Sequence, residues 1–139
     1  RRSTSMRATR NEVMAALDDG STLILDHRSP EEYSGQRVAP LGMDDHGAER
    51  HGRIPGAKSL PFDTLLNDDG TFKSRRELLE ILKAQGGSPS ARIISYCRLS
   101  HRATLACFAM RELLGFANVR TYDGSWTEWG SLVGVPVER

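Results

Sequence analysis

Two kinds of apolar pattern alternate along the chain, and the alternation predicts its architecture. Thr22-Leu23-Ile24-Leu25-Asp26 is a continuous apolar run closing on a carboxylate, and such runs suit a strand buried on both faces of a parallel sheet. Strands of the same kind are predicted over residues 91–96 (Ala-Arg-Ile-Ile-Ser-Tyr) and 119–122, with a shorter one near residues 58–60 after the turn Ile54-Pro55-Gly56-Ala57. Helical spacing fills the intervals. Residues 11–17 place Val13, Met14 and Leu17 on one face before Asp18-Asp19-Gly20 ends the segment. Ser29-Pro30-Glu31-Glu32 opens a second helix, with a capping serine, proline in the first turn and acids beside the positive helix end. Ser74 caps a third over residues 75–84, burying Leu78, Leu79, Ile81 and Leu82 and stopping at Gly86-Gly87. An almost wholly apolar helix spans 102–114 until Gly115, and Ser125-Trp126-Thr127-Glu128-Trp129 begins a last helical turn. Strands alternating with helices predict an α/β domain with a mainly parallel sheet.

Length and charge narrow the picture further. A chain of 139 residues is about the commonest size for one domain and long enough to bury a core without disulfide staples. The net charge of +1, from nineteen basic and eighteen acidic residues, gives neither a nucleic-acid footprint nor a membrane-seeking surface. No apolar run is long enough to span a bilayer, no leader-like stretch follows Arg1-Arg2-Ser3-Thr4-Ser5, and a cytoplasmic location is expected. Residues 1–7 read as a flexible tail or as the remnant of an inter-domain linker, with the domain itself over 8–139. The polar, aperiodic stretch from Gly35 to Gly52 is the longest loop, a length at which loops are often functional. It holds His46 and His51, which lack a cysteine or clear third ligand; a solvated or hydrogen-bonded role fits them better, and no metal is expected.

The chemistry concentrates at one of the two cysteines. Cys107 falls among Leu105, Ala106, Phe108 and Ala109 and reads as a small buried apolar residue. Cys97 instead stands immediately after a predicted central strand, where sites of open α/β sheets lie, and before a helix. Inward-pointing loop amides, the unsatisfied N–H groups of the helix start, and the charges of Arg98 and Arg102 would all favour thiolate over thiol. The plain alternative is a structural cysteine at a strand end with Arg98, His101 and Arg102 solvated. Loop length separates two reactions: Cys97 to Arg102 is Cys-x4-Arg, one residue shorter than the Cys-x5-Arg loop that makes room for phosphate, and Ala103 stands where that arginine would be. The smaller cradle suits an added sulfur atom.

The loop Cys97-Arg98-Leu99-Ser100-His101-Arg102 resembles the active-site loop of the rhodanese family. Residues 25–33 (Leu-Asp-His-Arg-Ser-Pro-Glu-Glu-Tyr) resemble the family's Asp-Val-Arg-x-x-x-Glu-Tyr signature, and Gly52-Arg53-Ile54-Pro55-Gly56-Ala57 its Gly-His-Ile-Pro-Gly-Ala turn. Residues 122–131 are similar to the catalytic, C-terminal half of tandem-domain thiosulfate sulfurtransferases, and the match runs from about residue 8 to 137. The resemblance implies a rhodanese-like fold, a central, mostly parallel five-stranded sheet flanked by helices, and a further rhodanese-like domain before Arg1. It also implies a cofactor-free, ping-pong sulfurtransferase. Cys97 would take the sulfane sulfur of thiosulfate as a persulfide and pass it to cyanide or a thiol; Arg98, Leu99, Ser100, His101 and Arg102 would form the substrate loop. Asp26 and Arg28 are expected to pair with each other or with backbone as supports, and Trp126 and Trp129 to pack in the core. Three positions depart from the family pattern: Ser100 replaces a glycine, Leu99 a frequent lysine, and His27 the usual valine. Ser100 would need unusual backbone angles or would hydrogen-bond the persulfide, and His27 is expected to be a buried, hydrogen-bonded residue rather than a catalytic one. A non-turnover persulfide carrier, or a sulfur-relay or regulatory rhodanese domain of a longer protein, is the competing reading.

Overall fold

The computed structural model describes residues 6–99 and 101–139. Five strands form one sheet: β1 (Arg7–Ala8), β2 (Thr22–Asp26), β3 (Lys58–Ser59), β4 (Arg92–Tyr96) and β5 (Val119–Tyr122), in the order β1-β5-β4-β2-β3. Every pairing is parallel. The helices are α1 (Arg10–Asp19), α2 (Pro30–Ser34), α3 (Arg75–Ala84), α4 (His101–Phe108) and α5 (Ser125–Trp129), with a 3-10 turn at Phe62–Leu65. The single apolar helix expected over 102–114 starts as α4 and widens into a π turn at Ala109–Leu113. Arg7, expected to lie in a tail, instead joins the sheet, in register with Thr121. A two-residue strand carries no periodicity, so only its long-range partner reveals it. Among the described residues no helix is long and apolar enough to cross a membrane.

The caps work as their residue types dictate. Thr9, Ser29 and Ser74 each accept the amide of the residue three positions on, while the glutamate at that position returns a bond to the cap's own amide. Such boxes satisfy donors that a helix start leaves orphaned. Gly20 ends α1 at φ 66°, a left-handed angle that glycine adopts without penalty.

Side-chain alternation sends each strand's residues to two cores. Leu25, Ile93 and Val119 face a layer holding Leu78, Leu82, Ala106, Met110, Leu114 and Phe116 from α3, α4 and the segment after it. Ile24, Ile94, Tyr96 and Tyr122 face Val13 and Ala16 of α1 and Trp126 and Trp129 of α5. Both tryptophans are fully buried, so they pack rather than wall an open pocket. From β2 the sheet is built outward to β3, and from β4 it is built in the opposite direction to β5. The carboxyl ends of β2 and β4 therefore flank a switch point, where open α/β sheets place their sites.

Candidate active site

Cys97 follows β4 directly, at that switch point. Its thiol is buried, only 1% exposed, and its Sγ accepts the amide N–H of Ala103 at 3.4 Å, in the first turn of α4. The peptide groups of Cys97 are held as well. Its N–H donates to Ser125 Oγ at 3.2 Å, and its carbonyl accepts from Trp126 N at 2.8 Å. The carbonyl of Arg98 takes the amide of Thr127 at 3.2 Å and its hydroxyl at 2.6 Å. The start of α5 thus grips the loop just before it enters α4.

The loop's cations are already engaged within the domain. Arg102 lays its fork on Glu32, Nη1 on Oε1 at 3.0 Å and Nη2 on Oε2 at 3.2 Å. Glu32 is fully buried and is also the glutamate of the Ser29 capping box. Arg98 donates through Nη2 to the carbonyl of His46 at 3.0 Å, and its buried Nε has no acceptor among the described residues. Gly47, at φ 122°, lets the backbone pass this guanidinium; a Cβ there would lie 2.9 Å from Nη2. Leu99 is half-exposed, His101 is exposed, and Ser100 lies outside the described residues.

Two buried polar clusters support the carboxyl ends of β2 and β4, one on each face of the sheet. On the tryptophan side, Asp26 accepts from Arg28 Nη2 at 2.7 Å, from Arg28 Nε at 3.0 Å and from the Tyr96 hydroxyl at 2.7 Å. Arg28 also donates to Gly52 O at 2.6 Å and lies 4.7 Å above the Trp126 ring, a cation–π contact. Burial works against the guanidinium charge, but Asp26, with Tyr96 and Glu32, together outweigh it and raise the arginine's pKa further. Burial, then the Asp26 carboxylate, push the Tyr96 hydroxyl well above its ordinary value. On the opposite face, His27 is fully buried between Leu60 O and Ser95 Oγ, each 2.8 Å from a ring nitrogen. A carbonyl only accepts, so Nδ1 carries the proton and Nε2 accepts from the serine hydroxyl. Burial lowers this histidine's pKa to about 4. Ser95 and Thr121 both bond the Cys107 thiol, Thr121 Oγ1 at 3.0 Å, and burial raises that thiol's pKa.

The 35–52 loop is tied down along its length. Asp45 accepts the amides of Val38 and Ala39, and Arg50 donates to the carbonyls of Trp129, Leu132 and Val135. His46 contributes its carbonyl rather than its ring. Among the described residues no group of three or more His, Cys, Asp or Glu is placed to hold a metal ion. A cleft of about 190 Å³ opens beside the start of α4, lined by His27, Ser29, Pro30, Pro61, Phe62, Asp63 and Arg102. A larger groove, about 860 Å³, lies between α3 and Phe116 at the amino end of β4, away from this site.

Comparison with known proteins decides the family. A family model described as the rhodanese-like domain matches residues 9–132. The chain belongs to the rhodanese family. This rhodanese domain is 50% identical over 134 residues to a Haloferax volcanii protein named "Putative thiosulfate sulfurtransferase", covering 96% of this chain and 46% of that protein. It is 41% identical to the "Sulfur carrier protein TtuD" of Thermus thermophilus, covering 99% of this chain and 50% of the relative. The chain thus spans about half the length of the curated relatives it matches. Among solved structures it is similar to an EanB variant captured as a cysteine persulfide with ergothioneine, at a TM-score of 0.84 and 26% identity, covering 96% of this chain and 32% of EanB.

The structure places Cys97 and Arg98 just after β4 and Arg28 just after β2, whose last residue Asp26 pairs with Tyr96, while Arg102 lies in the first turn of α4. Three further participants escaped the sequence reading. Glu32 was visible as a helix-start acid and as the glutamate of the residue 25–33 signature, but its distance from Arg102 in sequence conceals a bidentate pair. Ser125 and Thr127 belong to a recognised tail, but nothing local marks them as partners of Cys97 and Arg98.

Proposed function

We propose that this domain is a sulfurtransferase that carries sulfur as a persulfide on Cys97, with thiosulfate as donor and a thiol or cyanide as acceptor. The observation that carries the reading is the buried Cys97 thiol, bonded by the Ala103 amide at the start of α4 within a Cys-x4-Arg loop. Helix-start amides favour a thiolate, the nucleophilic form. The thiolate attacks the outer sulfur of thiosulfate; a Cys97 S–S bond forms as the sulfur–sulfur bond within thiosulfate breaks, and its electron pair leaves with sulfite. Cyanide or a thiolate then attacks the terminal sulfur, and the Cys97 thiolate is released. The buried Nε of Arg98, which has no acceptor among the described residues, is a donor that an anionic oxygen would satisfy, and this supports an anionic sulfur donor. The names of the Haloferax relative and of the family point the same way.

A second reading is a persulfide carrier that receives sulfur from another protein and does not turn over thiosulfate. Two observations favour it: the fork of Arg102 is already occupied by Glu32, and the Thermus relative is named a sulfur carrier. In either case we propose that the domain works beside a further rhodanese-like domain, in keeping with relatives about twice its length. Thiocyanate release from thiosulfate and cyanide separates the two readings. Turnover abolished by Cys97→Ser supports the enzyme. Absence of turnover with a one-sulfur mass gain on Cys97 from a persulfide donor supports the carrier. Full turnover in Cys97→Ser would sink both.

A further inference from the structure

Ten described glycines have a positive φ, and among the other described residues only Ser125 does, at φ 52°. A side chain at such an angle is costly, whereas glycine accepts it freely. The residue is fully buried, so no surface role explains why it is not a glycine. What glycine would lack is the hydroxyl, and both of that hydroxyl's bonds are accounted for. Ser125 Oγ donates to the Tyr122 carbonyl at 2.9 Å and accepts the N–H of Cys97 at 3.2 Å. The β4–β5 ladder ends with Ser95 opposite Thr121, so the hydroxyl stands in for a strand partner beyond it. The next amide, from Trp126, takes the Cys97 carbonyl. Both peptide groups of the nucleophile are thereby fixed from one short segment.

We infer that Ser125 is a positioning residue for Cys97: its left-handed backbone is tolerated because it brings the hydroxyl onto the nucleophile's amide, aligning Sγ with the start of α4. This inference rests on the persulfide reading of Cys97. Strained backbone persists where the surroundings over-determine it, and such positions gather at functional sites. Misplacing a nucleophile slightly is enough to slow reaction by an order of magnitude or more.

Ser125→Gly separates positioning from stability, because it relieves the backbone while deleting the hydroxyl. The expected result is a Tm at or above the parent's and faster hydrogen exchange at the Cys97 amide. For thiosulfate, kcat should fall about tenfold, with KM little changed because Arg98 and Arg102 are untouched. Ser125→Ala, which loses the hydroxyl but keeps the strain, should show the same kcat loss with a lower Tm. A Ser125→Gly protein whose kcat equals the parent's although its Cys97 amide has lost protection would overturn the proposal. Alkylation of Cys97 by iodoacetamide needs no sulfur donor and tests the inference separately. A parent chain inert to thiosulfate counts against the enzyme reading alone, whereas alkylation at the parent rate in both variants overturns the role of Ser125.

Discussion

His27 makes folding stability depend on pH in a window where little else titrates. Of the four histidines it alone is buried, and both its ring nitrogens are hydrogen-bonded in the neutral form. Its pKa falls from 6.5 to about 4, chiefly because burial penalises the charged ring. Above pH 6.5 the folded and unfolded chains both hold it neutral, and it imposes no penalty. As pH drops toward 4 the unfolded chain gains a proton that the folded chain refuses, so stability falls with falling pH. One pKa unit corresponds to about 1.4 kcal/mol, so the loss is about 2 kcal/mol from pH 6.5 to 5 and about 3 kcal/mol by pH 4. The lowered carboxylates, Glu12, Asp19, Asp45, Asp69, Glu77 and Glu138, are held down chiefly by hydrogen bonds. Their unfolded counterparts take up protons only near pH ~4, which leaves the upper part of the window to His27. Urea unfolding at half-unit steps from pH 7 to 5 measures the slope directly. His27→Asn cannot titrate but can still donate to the Leu60 carbonyl; it should be less stable at pH 7 and nearly flat across the window. A parent protein that is flat between pH 6.5 and 5, or a variant that keeps the parent's slope, would refute the reasoning.

Two other substitutions test the supports of the site. Arg28→Met leaves the fully buried Asp26 carboxylate without its ion partner, and breaking such a pair costs about 3–5 kcal/mol, measured as a lower urea midpoint; a midpoint within error of the parent's would show that this pair does not hold the fold together. Glu32→Gln removes the charge that holds the Arg102 fork and weakens the Ser29 cap, for a loss of about 2 kcal/mol given that Arg102 is partly exposed. Unchanged stability there would mean that the Arg102–Glu32 pair adds nothing to folding.

The pattern of the sequence was enough for most of the scaffold. Apolar runs at residues 22–26 and 92–96 and capping serines at 29 and 74 carry local information, because burial period and cap chemistry act within a few residues. Cys97 was legible for the same reason: a strand, a short loop and a helix in succession place it at the carboxyl edge of the sheet. Other features rest on partners far away in the chain. β1 exists only because Arg7 and Ala8 find Thr121 and Tyr122. Arg98 and Arg102, expected as charges that favour the thiolate and line the substrate loop, meet the His46 carbonyl and Glu32 across 52 and 70 residues. Ser125 reaches Cys97 across 28 residues, at a backbone angle that no local preference would assign to serine. Local sequence sets periodicity, caps and turns, whereas the choice among several acceptors for a buried donor is made only when the strands assemble and water is excluded. Sequence alone therefore placed Cys97 at the carboxyl edge of the sheet, and the tertiary structure decided what holds it.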